Sequence, residues 1–271
     1  MAETHGKTLR TFNLFDPRDH RALWLDATAP GSVGPMAGLE EPDAAVEAAS
    51  LVDGLILNPG PAERLSDRLP GKRGAGLLVR LDWTNAFRAG LHPLPPVEVR
   101  QVMLASADDA LLIGAEGAVF SLLLGFDEGF EAACVQRMAQ ASRQCERAGL
   151  PFVVDVRLAG PRVTPAGFAG AVKLGAGFAV EGGADAVLLP DPGEEAWSTL
   201  MRWAPVPLLK RYGSPGDPPL DWDGLSVTAA AAVTPASGGG LCLGETLFAR
   251  PDRIALLQAL RAAVHPEGVQ P

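Results

Sequence analysis

Ala118-Val-Phe-Ser-Leu-Leu-Leu124, then Gly125-Phe-Asp-Glu128, and further on Glu146-Arg-Ala-Gly-Leu-Pro-Phe-Val-Val-Asp-Val-Arg-Leu158, together read as one complete β/α/β unit. The two apolar runs are nearly continuous rather than alternating, as in strands covered on both faces. Between them Phe126, Phe130, Cys134, Met138, Ala141 and Cys145 recur at three- and four-residue spacing with charge on the opposite side, which predicts a long amphipathic helix. Its register places Cys134 and Cys145 in the core, where thiols behave as small hydrophobes rather than nucleophiles.

The same alternation extends in both directions. Apolar runs read as strands at Ala22–Thr28, Asp53–Asn58, Gly76–Asp82, Ala118–Leu124, Pro151–Leu158, Ala184–Leu189, Val206–Tyr212 and Gly240–Leu243, separated by helix-like segments. Repeated parallel β/α units in a chain of 271 residues predict an α/β fold, a single (β/α)8 TIM barrel over residues 1–271 with an N-terminal extension at 1–20. A final helix, Pro251–Val264, starts with Pro and Asp, repeats Ile254, Leu257, Leu260 and Ala263, and is expected to close the barrel. Two stretches break the rhythm: Thr84–Val99, with Gly90, Pro93, Pro95 and Pro96, and Gly213-Ser-Pro-Gly-Asp-Pro-Pro219 with the residues to 224. Both are expected as loops at the C-terminal face, where barrels build their sites, or else as stiff connectors.

Composition excludes several classes. A net charge of -9 disfavours nucleic acid as a partner, since phosphates are gripped by clustered Lys and Arg. No apolar run is long enough for a membrane helix, and no signal-peptide pattern is present, so a cytoplasmic protein with reduced thiols is expected. His5, His20, His92 and His265 fall away from strand ends, the cysteines lack ligand spacing, and no dinucleotide fingerprint or P-loop occurs. Neither a metal nor a cofactor is therefore expected. Trp197, Trp203 and Trp222 read as helix-to-barrel packing residues, with an oligomer interface as the alternative.

Ala22-Leu-Trp-Leu-Asp26, Gly34-Pro-Met-Ala-Gly-Leu-Glu-Glu-Pro42, Gly125-Phe-Asp-Glu128, Glu146-Arg-Ala-Gly-Leu-Pro151, Gly182-Gly-Ala-Asp-Ala186 and Leu243-Gly-Glu-Thr-Leu-Phe248 occur in an order and spacing that resemble the archaeal-type (DhnA-type) class I fructose-bisphosphate aldolases. The resemblance implies a class I aldolase-like barrel and chemistry in which a lysine forms an imine with a ketose carbonyl, so that a carbon–carbon bond can break. It places that lysine at the end of the sixth barrel strand, where this chain has Leu188 in Ala184-Asp-Ala-Val-Leu-Leu-Pro190. It also sets Arg157 at the acid/base tyrosine, Asp155 at a neighbouring aromatic, Leu122, Leu123 and Leu124 at polar positions of the fourth strand, and Glu245 at a phosphate-holding arginine.

The chain has four lysines, and of Lys7, Lys72, Lys173 and Lys210 only Lys210 ends a barrel strand. One expectation is therefore a carbon–carbon lyase on a small ketose or sugar phosphate with a relocated imine lysine, Lys210. Asp26 or Asp155 would carry the proton, and Arg80, Arg157, Arg211, Glu245 and the turn at Gly213 would hold the substrate. The alternative is that Lys210 merely pairs with Glu245, and that the chain is a catalytically inactive aldolase homologue. Such a protein would bind a metabolite, or assemble as a homo-oligomer or with an active aldolase. A third reading, acid/base isomerisation by Asp26 and Asp155, rests on fewer residues.

Overall fold

In the computed structural model the described residues are 5–40, 43–69, 74–88, 94–218, 220–222, 225 and 239–266. Lys72, Gly90, His92, Pro93, Pro219, Gly238, residues 1–4 of the N-terminal extension and residues 223–224 of the second loop lie outside them. Ten strands are present among the described residues: β1 Arg21–Asp26, β2 Gly54–Leu57, β3 Gly76–Arg80, β4 Asp82–Thr84, β5 Gln101–Met103, β6 Gly117–Leu124, β7 Phe152–Leu158, β8 Ala186–Pro190, β9 Leu208–Tyr212 and β10 Gly239–Leu243. Eight of them close a barrel in the order β1-β10-β9-β8-β7-β6-β3-β2, with every pairing parallel. The barrel is the (β/α)8 architecture that the run of apolar strands predicts.

The helix after β6, Glu128–Ala148, buries Cys134, Met138, Ala141 and Cys145 against the sheet. Asp127 caps it by accepting from the Phe130 N–H, and Gly149 ends it in the left-handed region at φ 63°. All three cysteines are free and buried, and burial pushes the thiols of Cys134 and Cys145 up to about 12. They are packing residues. The last helix, Arg253–Val264, buries Leu257, Leu260 and Val264 and packs on β1, next to β10, where the barrel closes.

The loop expected at Thr84–Val99 has ordered ends. Asp82–Thr84 pairs antiparallel with Gln101–Met103, so a short hairpin-like sheet stands over the barrel mouth. These strands are too short to give a hydrophobic period, which is why the sequence read only as a break. The N-terminal extension likewise contains a helix, His5–Leu14, whose end closes the bottom of the barrel. Leu14 and Phe15 join Ala22, Trp24, Ile56, Leu78, Val119, Val153, Ala186, Leu188, Leu209 and Cys242 in one interior cluster, and the Trp24 indole donates to the Leu14 carbonyl at 2.8 Å. Trp197 is buried, whereas Trp203 is half exposed. No helix among the described residues is long and apolar enough to cross a membrane.

At the bottom face, His265 links the end of the last helix to the segment before β1 and to the start of β2. Its Nδ1 lies 2.9 Å from Asp19 and its Nε2 2.9 Å from Asp53. Burial lowers the imidazole pKa, but Asp53 and Asp19 together outweigh that and raise it above the ordinary value of 6.5. Arg18 neutralises the adjacent Asp16, and Arg261 approaches Asp53. Because the folded value is raised, the stabilisation is full below the unfolded pKa and is lost as pH rises through the folded one. His265→Gln is accordingly expected to lower the urea midpoint more at pH 6 than at pH 9. A midpoint difference independent of pH would contradict this account of His265.

Candidate functional site

Strand alternation decides what enters the barrel mouth. On β7, Val153 lies in the interior cluster, so Asp155 and Arg157 project inward above it. By the same step of two, Leu78 brings in Arg80, Trp24 brings in Asp26, Val119 brings in Ser121 and Leu209 brings in Arg211. The lower interior is apolar and the upper layer ionic.

Asp155 is the hub. It accepts from Arg157 Nε at 2.7 Å, from Arg80 Nη2 at 3.0 Å and, through its other oxygen, from Arg211 Nη1. Asp26 accepts from Arg80 Nη2 at 2.7 Å and Arg157 Nη2 at 3.0 Å, while its second oxygen accepts from the Thr28 hydroxyl at 2.6 Å. Arg80 also donates to Thr28 at 3.0 Å and to Ser121 at 2.6 Å. Arg211 reaches Asp217 in the following loop at 2.5 Å and the Val156 carbonyl at 2.9 Å. Burial alone would raise the Asp155 pKa, but Arg157, Arg211 and Arg80 together hold it well below the usual carboxylate range.

Glu245 stands apart from this lattice. It opens the short 3-10 turn Glu245–Ala249 just after β10 and is 1% exposed. One carboxyl oxygen accepts from the Ala29 N–H at 2.8 Å, and the other has no partner among the described residues. Burial first, and the Asp26 charge second, push its pKa up to about 8. Glu245 shares a small cavity with Thr28, Arg80, Ser121, Phe87 and Arg157; its volume is about 40 Å³. For scale, an engineered cavity of about 150 Å³ admits benzene. The enclosed space holds only a small group of atoms.

The structure therefore brings together Asp26, Arg80, Asp155, Arg157, Arg211 and Glu245, but not Lys210. Lys210 alternates with Leu209 and Arg211 and so faces outward, towards the helix Glu194–Trp203. Its ammonium lies 3.3 Å from Asp191 and 4.9 Å from the centre of the Trp197 ring. The expected convergence of Lys210 with the mouth residues is thus corrected, as is its pairing with Glu245. The sequence marks the strand end but not the side, because a strand buried on both faces gives no alternating signal. Gly213 sits in the left-handed region at φ 74°, and its carbonyl accepts from the Thr246 hydroxyl at 2.7 Å; a side chain there would collide with Thr246 and Trp222. Its observed role is to fit the loop after β9 against the turn after β10.

Several members of the site carry no signal in the sequence reading. Ser121 is hidden in the run Phe120-Ser-Leu-Leu-Leu124. It is this residue, rather than Leu122, that holds an inward polar position at the upper end of β6, paired with Asp155 across the sheet. Asp82 and Gln101 belong to the small hairpin sheet. Gln101 donates to Asp82 at 2.8 Å, and so does the Ser121 N–H at 2.8 Å. Burial raises the Asp82 pKa against the opposing pull of Arg80.

No protein-family model matches the chain. Among solved structures it is similar to a Schiff-base-forming fructose-1,6-bisphosphate aldolase, with a TM-score of 0.77 at 22% identity over 96% of this chain and 100% of that one. The barrel is built as in those aldolases. An archaeal fructose 1,6-bisphosphate aldolase gives a TM-score of 0.75 at 21% identity, covering 95% and 98% of the two chains. A fructose-bisphosphate aldolase from Slackia heliotrinireducens gives 0.72 at 15% identity, covering 97% and 87%. At these identities the likeness concerns the fold, and chemistry has to be argued from the residues.

The interior of β8 is the decisive place for that argument. Leu188 is fully buried in the apolar cluster, level with Asp155 on one neighbour and Leu209 on the other. Lys7 pairs with Glu146 and Asp185 far from the mouth, and Lys173 is exposed on the helix Phe168–Glu181. Among the described residues, no amine reaches the cavity.

Proposed function

We propose that this protein keeps an aldolase barrel but not imine chemistry, and that it is a catalytically silent aldolase homologue holding a small polar metabolite at the barrel mouth. The observation that carries the reading is the outward side of Lys210 combined with Leu188 inside β8. An imine requires an amine within bonding reach of a carbonyl, and the groups facing this cavity are guanidiniums, carboxyls, hydroxyls and amides. Guanidiniums stay protonated and serve as poor proton shuttles. The cavity volume of about 40 Å³ further disfavours a sugar bisphosphate, which is far larger.

Retro-aldol turnover tests the reading. With fructose 1,6-bisphosphate and with nonphosphorylated ketoses, the purified protein is expected to show no cleavage above buffer, and Lys210→Ala is expected to behave identically. Cleavage by the wild type that disappears in Lys210→Ala would overturn the proposal and restore the relocated lysine.

A further inference from the structure

The ionic lattice at the mouth is balanced without Glu245. Arg80, Arg157 and Arg211 face Asp26, Asp155 and Asp217, three cations against three carboxylates in direct contact. Glu245 makes no ion pair within this set, although Arg157 and Arg80 are near enough to act on it through space. It is a surplus carboxyl with one oxygen on the Ala29 N–H and the other unpartnered among the described residues. A buried, unmatched carboxyl retains its proton, and here that proton belongs on the unpartnered oxygen, as the other already accepts a bond. In that state Glu245 is a hydrogen-bond donor in the cavity rather than a negative charge.

Arg157 supplies a second donor on the same cavity. Its Nε and Nη2 are engaged by Asp155 and Asp26, whereas its Nη1 has no acceptor among the described residues. Phe87 lies against the guanidinium at 5.5 Å from its ring centre and, with Trp83 and Val33, gives the cavity an apolar side. A protonated carboxyl and a free guanidinium N–H, both donors, leave a place for a group that only accepts.

We infer that the Glu245–Arg157 cavity binds the head group of a small monocarboxylate, one oxygen accepting from the Glu245 O–H and the carboxylate facing the free Arg157 N–H. This rests on the reading of the mouth as a noncatalytic binding site and names its ligand class. A carboxylate head group suits a guanidinium N–H beside a carboxyl O–H, and its two or three atoms suit the cavity volume of about 40 Å³. The carbon end of the ligand lies towards Phe87 and Trp83.

The pH dependence follows from the groups that face Glu245. They are Asp26 from β1, Arg80 from β3, Arg157 from β7 and the Ala29 amide, and Asp82 of β4 lines the same cavity beside Arg80. Losing the Glu245 proton would turn a donor into a charge that repels the ligand. Carboxylate affinity is therefore expected to fall by about tenfold per pH unit above the Glu245 titration, since each binding event then requires uptake of one proton.

The test uses acetate and formate as probes, followed by ligand-observed NMR on the full chain, with acetamide and inorganic phosphate alongside. The expected result is saturable acetate binding at pH 6.5 that weakens through pH 9, with acetamide and phosphate each at least about tenfold weaker, as loss of a charge-assisted bond or addition of a second charge implies. Glu245→Gln keeps a donor but cannot titrate, so it should bind acetate with a flat pH profile, while Glu245→Leu should lose binding; thermal melts confirm that both fold. Absence of saturable binding, equal binding of acetamide, or an unchanged pH slope in Glu245→Gln would each overturn the inference. None of those outcomes bears on retro-aldol turnover, so this inference and the silent-homologue reading fail separately.

Discussion

Asp155→Ala is expected to cost about 3–5 kcal/mol of stability, the range found when one partner of a buried ion pair is removed. The reason is numerical. One fully buried carboxylate accepts from Arg80, Arg157 and Arg211, and alanine leaves three guanidiniums with one fewer anion in a region where none is more than 5% exposed. Because the Asp155 pKa is depressed in the folded state, its contribution is present above the ordinary carboxylate range and is lost as pH falls into and below it. The wild type should therefore lose its advantage over Asp155→Ala progressively in acid. Urea unfolding at neutral pH checks the magnitude, and a series at lower pH checks the sign. A loss below about 1 kcal/mol, the scale of a solvent-exposed pair, would mean that the lattice is not closed to water as described.

Gly240→Ala should be similarly damaging for a different reason. In β10, Gly240 is paired with Ala22 of β1 at the strand junction where the last barrel strand meets the first. A Cβ added there would lie 1.8 Å from the Ala22 carbonyl oxygen, a backbone atom that cannot rotate away. The substitution has to part the two strands, and a loss of about 3 kcal/mol or failure to fold is expected from overpacking against backbone. Thermal melting beside Gly170→Ala, where nothing lies within 4 Å, provides the control. Equal melting temperatures would show that the closing pair of strands is looser than its register implies.

These two residues also mark what the sequence did and did not disclose. The eight barrel strands and the long helix after β6 were legible because double-faced burial writes continuous apolar runs and a helix writes a 3.6-residue period. Asp26, Arg80, Arg157, Arg211 and Glu245 were legible as residues near the mouth, since each lies at, next to or just beyond the C-terminal end of a strand, and Asp155 lies midway along β7, one step of two below Arg157. The side on which Lys210 projects was not legible: Leu208-Leu-Lys-Arg-Tyr212 has charged residues on both faces, and only the packing of Trp197 and Asp191 distinguishes them. Asp82, Ser121, Gln101 and Asp217 were missed because each earns its place through a partner far away in the chain or, for Asp217, through a loop geometry that no periodicity encodes. The glycine at 240, at the start of the eighth predicted strand, is explained by the close approach of β1.

The most direct test of the central claim, that no amine among the described residues serves the barrel mouth, is borohydride trapping with dihydroxyacetone phosphate, fructose 1,6-bisphosphate and nonphosphorylated ketones. It is read by intact mass and peptide mapping beside an active aldolase. The account predicts an unmodified protein under conditions in which the control is fully labelled. A reduced adduct on Lys210 would contradict it, because that amine would have to leave Asp191 and Trp197 and reach a carbonyl that the described geometry keeps on the other face of β9.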